Sequence, residues 1–130
     1  MELKTKLYLI DDEGEKFMGI GVLWLLQQVR EQKSLRKAAS ELELSYSKAF
    51  AMIRNLEKNL GVAVLDRKKG GANRDGATLT PFAEAFISLY ESFELGVKKQ
   101  AAVQYDHFGE QLFRLLDSTD KSNDIHGGSQ

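Results

Sequence analysis

The sequence predicts a mostly α-helical fold with a small β component, and three observations carry that prediction. Two short amphipathic stretches, each headed by a serine, flank a tight turn at Glu43-Leu44. Two short β-type runs enclose a polar, glycine-rich loop over residues 66–76. After Pro81, apolar residues recur every three or four positions as far as Leu115.

Leu3, Leu7 and Leu9, with Tyr8 and Ile10, read as a short N-terminal strand closed by Asp11-Asp12-Glu13-Gly14. Phe17-Met18-Gly19-Ile20-Gly21 reads as a flexible joint, because two glycines free the backbone. A helix is expected over residues 22–32. Leu23, Leu26, Val29 and Arg30 share one of its faces, and Trp24 and Leu25 widen the apolar stripe. Ser34 can cap the next helix through its hydroxyl. That helix, residues 35–42, has Leu35, Ala38, Ala39 and Leu42 at helical spacing. Ser45 is a second candidate N-cap. The helix after it, residues 46–60, is expected to bury Ala49, Phe50, Ile53, Leu56 and Leu60. Gly61 is placed to end it, since glycine adopts the left-handed conformation at little cost.

Val62-Ala63-Val64-Leu65 reads as a strand, residues 66–76 as a loop and Ala77-Thr78-Leu79 as the returning strand. Together they make a hairpin whose loop exceeds the usual length of roughly two to five residues. Thr80-Pro81 opens the last helix, with proline at its favoured first position. Phe82, Phe86, Leu89, Phe93 and Val97, then Ala101, Tyr105, Phe108, Leu112 and Leu115, form a heptad-like seam. Gly96 and Gly109 are points where this helix is expected to kink or split. Residues 118–130 are rich in Ser, Asp, Asn and Gly, the composition of a disordered tail. The expected organisation is a domain over residues 1–95, a helical dimerisation segment over 96–117 and the tail.

The bulk numbers bound the function. A chain of 130 residues, 42% hydrophobic and 28% charged, can bury one core. With no cysteine, disulfides and thiolate metal sites are excluded. No apolar run approaches the roughly 20 residues that span a bilayer, and no signal-peptide pattern follows Met1. The expected compartment is the cytoplasm, with no membrane partner. The net charge of −1 is unevenly spread. Residues 34–81 carry nine basic and five acidic side chains, a local +4, whereas residues 82–130 carry four basic and eight acidic, a local −4. Local charge matters more than the total for binding phosphate.

Two short helices joined by a tight turn are a helix-turn-helix, and the basic hairpin after them is a wing. Ala38 and Ala39 let the second helix cross close to the first, and Leu44 plugs the gap between them. Ser47, Lys48, Ala51, Arg54, Asn55 and Lys58 fall on the polar face of the second helix. A polar face that starts at a helix N-terminus is what enters a major groove, with Ser45, Tyr46, Ser47 and Lys48 deepest. Arg54 can pair with guanine or phosphate, and Asn55 with adenine. Ser34, Ser45 and Ser47 are candidates at the capped helix ends, which suit phosphate. Arg67, Lys68, Lys69 and Arg74 supply cations in the wing. The competing reading of each feature is a solvated polar face and an ordinary charged loop; their combination in one short stretch favours DNA.

The run Ser34-Leu35-Arg36-Lys37-Ala38-Ala39-Ser40-Glu41-Leu42-Glu43-Leu44-Ser45-Tyr46-Ser47-Lys48-Ala49-Phe50 resembles the N-terminal domain of the ModE family of molybdate-responsive regulators. Phe17-Met18-Gly19-Ile20-Gly21 is similar to that family's Phe-x-Gly-x-Gly entrance. Asn55-Leu56-Glu57-Lys58-Asn59-Leu60-Gly61 and Leu79-Thr80-Pro81-Phe82-Ala83 complete the resemblance, which covers about residues 3–95. LysR-type regulators share the same core more distantly. The resemblance implies a winged helix-turn-helix, a two-fold dimer and a roughly palindromic operator. Two departures stand out. Glu43 occupies a turn position where the family often has glycine, and a positive φ there costs on the order of 1 kcal/mol. ModE proteins continue into molybdate-binding domains, so molybdate sensing is not carried over to this sequence and no effector is assigned.

Other chemistry finds little support. His107 and His126 are isolated from each other in sequence, so neither catalysis nor metal ligation is expected, and no cofactor is implied. Gly19 and Gly21 lack the third glycine of a dinucleotide fingerprint, since Trp24 holds its place, and Gly70-Gly71 lacks the P-loop partners. Asp11-Asp12-Glu13 reads as a solvated strand end. Tyr46 and Phe50 could pass for a single-strand stacking pair, but periodicity turns Phe50 to the core. The expectation is a homodimeric, double-stranded-DNA-binding transcriptional regulator and not an enzyme. Its dimer contacts would come from the helix at Val22 and the seam after Phe82, with residues 82–97 packing on their own domain and 101–115 on the partner. The alternative is a protein-interaction module on the same scaffold that antagonises or pairs with a longer regulator.

Overall fold

The computed structural model describes residues 1–67 and 76–123, with side chains as far as 119. The described residues form four helices: α1 (Ile20–Gln32), α2 (Leu35–Glu41), α3 (Tyr46–Leu60) and α4 (Pro81–Asn123). Two antiparallel hairpins, β1 (Tyr8–Ile10) with β2 (Lys16–Gly19) and β3 (Leu65–Arg67) with β4 (Ala77–Leu79), supply the small β component. The fold is therefore the mostly helical winged helix-turn-helix that the sequence predicts. The chain divides into two compact units, one of residues 6–92 and one of residues 1–5 with 93–130.

The expected flexible joint at Phe17–Gly21 is instead a strand and the start of a helix. Met18 is fully buried, which pins the segment, and β2 pairs with β1 at Tyr8↔Gly19 and Leu9↔Met18 before the register slips at Phe17. Gly19 serves close approach and not flexibility: a Cβ there would lie 3.2 Å from the Tyr8 Cβ. The turn is stabilised by Asp11, whose Oδ1 accepts from the N–H groups of Glu13 and Glu15 at 2.8 and 2.9 Å.

In α1, Leu23, Leu25, Leu26 and Val29 are buried as the apolar stripe requires. Trp24 departs from the expected stripe and is 52% exposed. It sits one turn after Ile20 on the outer face, opposite the core. The helix ends on Lys33 at φ 56°, a left-handed cap without glycine. Ser34 then caps α2, its Oγ accepting from Lys37 N at 3.1 Å. Ala38 and Ala39 are buried at the α2 crossing, and Leu44 packs half-buried against the core. Glu43 has φ 58°, the conformation for which the family resemblance favours glycine. Ser45 Oγ accepts from Lys48 N at 3.0 Å to cap α3, and Gly61 ends it at φ 75°.

The wing differs in register from its sequence reading. Val62 and Ala63 are exposed, and pairing starts at Leu65↔Leu79 and runs to Arg67↔Ala77. A bridge between Ser34 and Gly76, with Ala77 N donating to Lys33 O at 3.1 Å, clamps the returning strand to the α1–α2 junction. Thr80 links wing and last helix: its Oγ1 accepts from Ala83 N at 3.1 Å as an N-cap and donates to Ala63 O at 2.9 Å.

The seam that α4 lays on residues 6–92 is only in part the expected one: Phe86 packs half-buried against the core, but the buried row lies beside it. Ala83, Ile87 and Tyr90 are buried there, whereas Leu89 of the predicted stripe is 70% exposed and Phe82 and Phe93 are exposed as well. The Tyr90 hydroxyl donates to Leu7 O at 3.3 Å, so its burial leaves no unpaired polar atom. Arg30 Nη2 and Glu84 Oε1, 2.7 Å apart, pair α1 with α4 at the surface, where such a link adds little stability. Gly96 and Gly109 both lie within the continuous helix, so neither splits it. Helix α4 also runs on to Asn123, six residues into the segment expected to be disordered; residues 124–130 lie outside the described residues. In the second unit Leu3 lies beside Ala101 and Tyr105 of α4.

Candidate nucleic-acid interface

The packing of α3 decides which side chains are offered outward. Ala49, Ile53 and Leu56 face the core, so the opposite ridge carries Ser47, Ala51, Arg54 and Lys58, all exposed, with Lys48 beside them. The helix is free along this ridge and capped at its start, the form in which a helix can enter a groove. Of the capping serines, Ser45 is exposed at the start of the ridge. Ser34 is 4% exposed and its hydroxyl holds α2, which withdraws it from the candidate surface for the physical reason that no ligand can reach it.

Two hairpins fasten to opposite sides of α3, each through one polar side chain. Asn55 Nδ2 donates to Lys16 O of β2 at 3.1 Å, and its Oδ1 accepts from Asn59 Nδ2 at 3.3 Å. Both ends of that amide thus make one contact within the protein, which fixes its orientation and leaves one N–H and one lone pair over. On the other side, Glu57 Oε2 accepts from Val64 N at 2.9 Å and Leu65 N at 3.5 Å, which ties the wing to α3.

A concave strip between α3 and β3 is lined by Phe50, Arg54, Lys58, Leu65 and Arg67, together with Asn55, Glu57 and Ala63. Three of those side chains are cations, which makes the strip a place for an anion. Phe50 does not follow its expected burial: it packs half-buried against the core and shows its ring to this strip. Arg67 lies over that ring, its Cζ 5.0 Å from the centroid, and Arg54 Cζ is 5.6 Å away. Lys68, Lys69 and Arg74 of the wing lie outside the described residues.

Sequence reasoning missed Arg36 and Glu57. Arg36 on α2 lies over the Tyr46 ring, its Cζ 4.3 Å from the centroid, and so brings a third guanidinium to the start of α3. The available signal was the Arg36-Lys37 pair just after the Ser34 cap, on the side of α2 that Ala38 and Ala39 do not use. Glu57 gave no signal of its own, since its partners are backbone groups in a later element. Among the described residues no helix is long and apolar enough to cross a membrane.

Comparison with known proteins is consistent with this geometry. Residues 21–84 match the family described as bacterial regulatory helix-turn-helix protein, lysR family. The chain is 31% identical over 70 residues to the transcriptional regulator ModE of Haemophilus influenzae, covering 54% of this chain and 28% of that protein. It is 34% identical over 82 residues to the molybdenum-pterin-binding protein MopB of Rhodobacter capsulatus, covering 63% of this chain and 30% of that protein. The chain therefore spans less than a third of either relative. Among solved structures, full-length CbnR in complex with its target DNA superposes with a TM-score of 0.52 at 25% identity, over 67% of this chain and 29% of that one. Residues 21–84, from the start of α1 to the first turn of α4, are thus similar to the helix-turn-helix domain of LysR-type regulators, and the matched relatives extend that similarity to ModE.

Proposed function

We propose that this protein is a transcriptional regulator that binds double-stranded DNA by laying α3 in a major groove, and that it is not an enzyme. The observation that carries the reading is the row of cations on and beside the exposed face of α3: Lys48, Arg54 and Lys58 on the helix and Arg67 on the adjoining strand. Ser45, Tyr46, Ser47, Lys48 and Ala51 are the proposed groove-facing positions, and Arg54, Lys58 and Arg67 the proposed phosphate contacts. Asn55 is assigned to holding β2, and Ser34 to capping. Lys68, Lys69 and Arg74 remain proposed wing contacts on their charge alone. CbnR, which shares the fold, is seen with its target DNA, and that supports the reading. The identity with ModE, together with Ser45-Tyr46-Ser47-Lys48-Ala49, favours a place on the ModE side of the group. A cytoplasmic location accords with this role.

The same reading includes a homodimer. Ile20 and Trp24 on α1 are exposed, as are Phe93, Phe108 and Leu115, which share one side of α4. Apolar side chains in that number on one helix favour a covered face. A second copy brings two α3 helices to two half-sites.

Selection of bound sequences from a random duplex pool tests both parts. The expected result is a palindromic consensus whose affinity falls steeply as salt rises. Recovery of no enriched sequence, or an affinity indifferent to salt, overturns the DNA reading. A non-palindromic consensus bound by a monomer in sedimentation overturns the dimer alone.

A further inference from the structure

Glu57 is the one anion among the side chains that line the strip between α3 and β3. Among the described residues, no ion pair joins it to Arg54, Lys58 or Arg67. Its Oε2 instead accepts from the N–H groups of Val64 and Leu65, at 2.9 and 3.5 Å, where the chain enters β3. Gly61, Val62 and Ala63 separate this root from the end of α3, and all three are exposed. The carbonyl side of the root is held from elsewhere. Val64 O accepts from Thr80 N at 3.0 Å, and Ala63 O from Thr80 Oγ1 at 2.9 Å. Thr80 caps α4, so those bonds fix the root to α4 and not to α3. Among the described residues, the hydrogen bonds between α3 and the root come from Glu57.

We propose that Glu57 is a positioning residue for DNA binding: by holding the root of β3 to α3, it sets Arg67 beside Arg54 as a second contact to the phosphate backbone. The proposal rests on the DNA-binding reading above and adds to it what places the wing's cation. Three physical points support it. Side chains alternate along a strand, so Leu65 and Arg67 share a face, and the orientation of the peptides at 64 and 65 sets where Arg67 points, roughly 7 Å further on. The Val64 and Leu65 side chains are buried, which resists withdrawal of the strand, but apolar burial is non-directional and does not fix that orientation. Hydrogen bonds to the two N–H groups do. Second, Arg54 and Arg67 lie 5.6 and 5.0 Å from the same Phe50 ring, so two like charges are brought close and repel. A directional tie at the root opposes the outward drift of the wing that this repulsion favours. Third, a carboxylate suits the task, because hydrogen bonds to an ionised acceptor are roughly twice as strong as neutral ones. Spending its oxygen on backbone donors also leaves the cations of the strip unpaired with it.

The test compares variants by fluorescence anisotropy on a labelled duplex carrying the selected consensus, over a series of salt concentrations. Removing the charge of Glu57 by itself favours a polyanion, so the informative pair is Glu57→Ala against Glu57→Gln. Both are neutral, but only glutamine keeps an oxygen that can accept from Val64 and Leu65. Glu57→Ala is expected to bind about three- to tenfold more weakly than Glu57→Gln. With Arg67→Ala added to each, that difference is expected to shrink to less than about twofold, because the tie then has no cation to place. Arg67→Ala is expected to lower the salt slope by about one beside Gln at 57 and by less than about half as much beside Ala. Thermal unfolding of each variant fixes a temperature at which all are folded. If Glu57→Ala does not fold, Glu57→Asp withdraws the carboxylate by one methylene at unchanged charge, and the same loss and the same dependence on Arg67 are expected against the unaltered protein. Equal affinities for the Ala and Gln variants, or a difference that persists without Arg67, overturn the proposal and leave the DNA reading intact. Failure of the unaltered protein to bind any duplex overturns both.

Discussion

The two hairpins that flank α3 are built alike and charged differently. Each is a short antiparallel pair, and each is fastened to α3 by one side chain: Asn55 for β1–β2 and Glu57 for β3–β4. On the wing side, Arg67 of β3 joins Arg54 of α3 at the Phe50 ring. On the other side, Lys16 lies 5.0 Å above the Tyr8 ring, and Lys6 and Lys48 border the same groove, but the turn of that hairpin carries Asp11, Asp12, Glu13 and Glu15. A polyanion is attracted by the first arrangement and meets mixed charge at the second. The same construction thus yields one flank suited to a phosphate backbone and one whose principal contribution is to hold α3 in place.

The largest expected effect of that difference is on DNA affinity. Arg54→Ala combined with Arg67→Ala is expected to weaken binding on the order of a hundredfold and to lower the salt slope by about two. Lys6→Ala combined with Lys16→Ala is expected to cost less than about threefold by the same measure, because nearby carboxylates already offset those charges. Equal losses from the two pairs would dissolve the distinction between the flanks.

Next comes stability, where both fasteners act. Glu57→Ala leaves two backbone donors at the wing root without their acceptor and is expected to lower unfolding stability by about 1–3 kcal/mol. Urea denaturation measures the loss, and faster amide exchange at Val64 and Leu65 locates it. Asn55→Ala removes one bond to a carbonyl and is expected to cost about 1 kcal/mol. It sharpens the comparison in a second way. If Asn55 only holds β2, the selected consensus is unchanged in the variant; if it reads adenine, discrimination at one base pair falls by about 1–3 kcal/mol.

The smallest effect belongs to the turn between α2 and α3. Glu43 sits at positive φ, so Glu43→Gly relieves left-handed strain and is expected to raise stability by roughly 0.5 kcal/mol after the entropy of the added glycine is allowed for. Thermal unfolding registers this, and DNA affinity should not move. A drop in affinity would mean that the Glu43 side chain, and not merely its backbone, shapes the approach of α3.

Much of this was legible from the residues in order. The serine caps at 34 and 45, the alanine pair, the glycine stop at 61 and the proline start at 81 all stand where the sequence predicts them. Elsewhere the pattern allowed two answers. Helix α4 has apolar residues at 82, 86, 89 and 93 and also at 83, 87 and 90, and both series have helical spacing. Periodicity identified a helix but did not say which stripe the domain would take. Glycines at 19 and 21 suggested a loose joint, whereas Gly19 is required by the approach of Tyr8. For Phe50, periodicity pointed to the core, and only the arrival of Arg67 from β3 revealed the use of its other edge.

The sequence by itself determined where α2 and α3 begin, where α3 ends, where α4 begins and which face of α3 is polar. Those features follow from caps, backbone preferences and side-chain spacing, interactions that reach at most a few residues along the chain. The tertiary structure alone decided which stripe of α4 is buried, what Asn55 and Glu57 hold, and that three arginines meet two rings. Those outcomes join groups far apart in sequence, as Asn55 and Lys16 are at a separation of 39 residues. They depend on how whole elements pack, which no local pattern encodes.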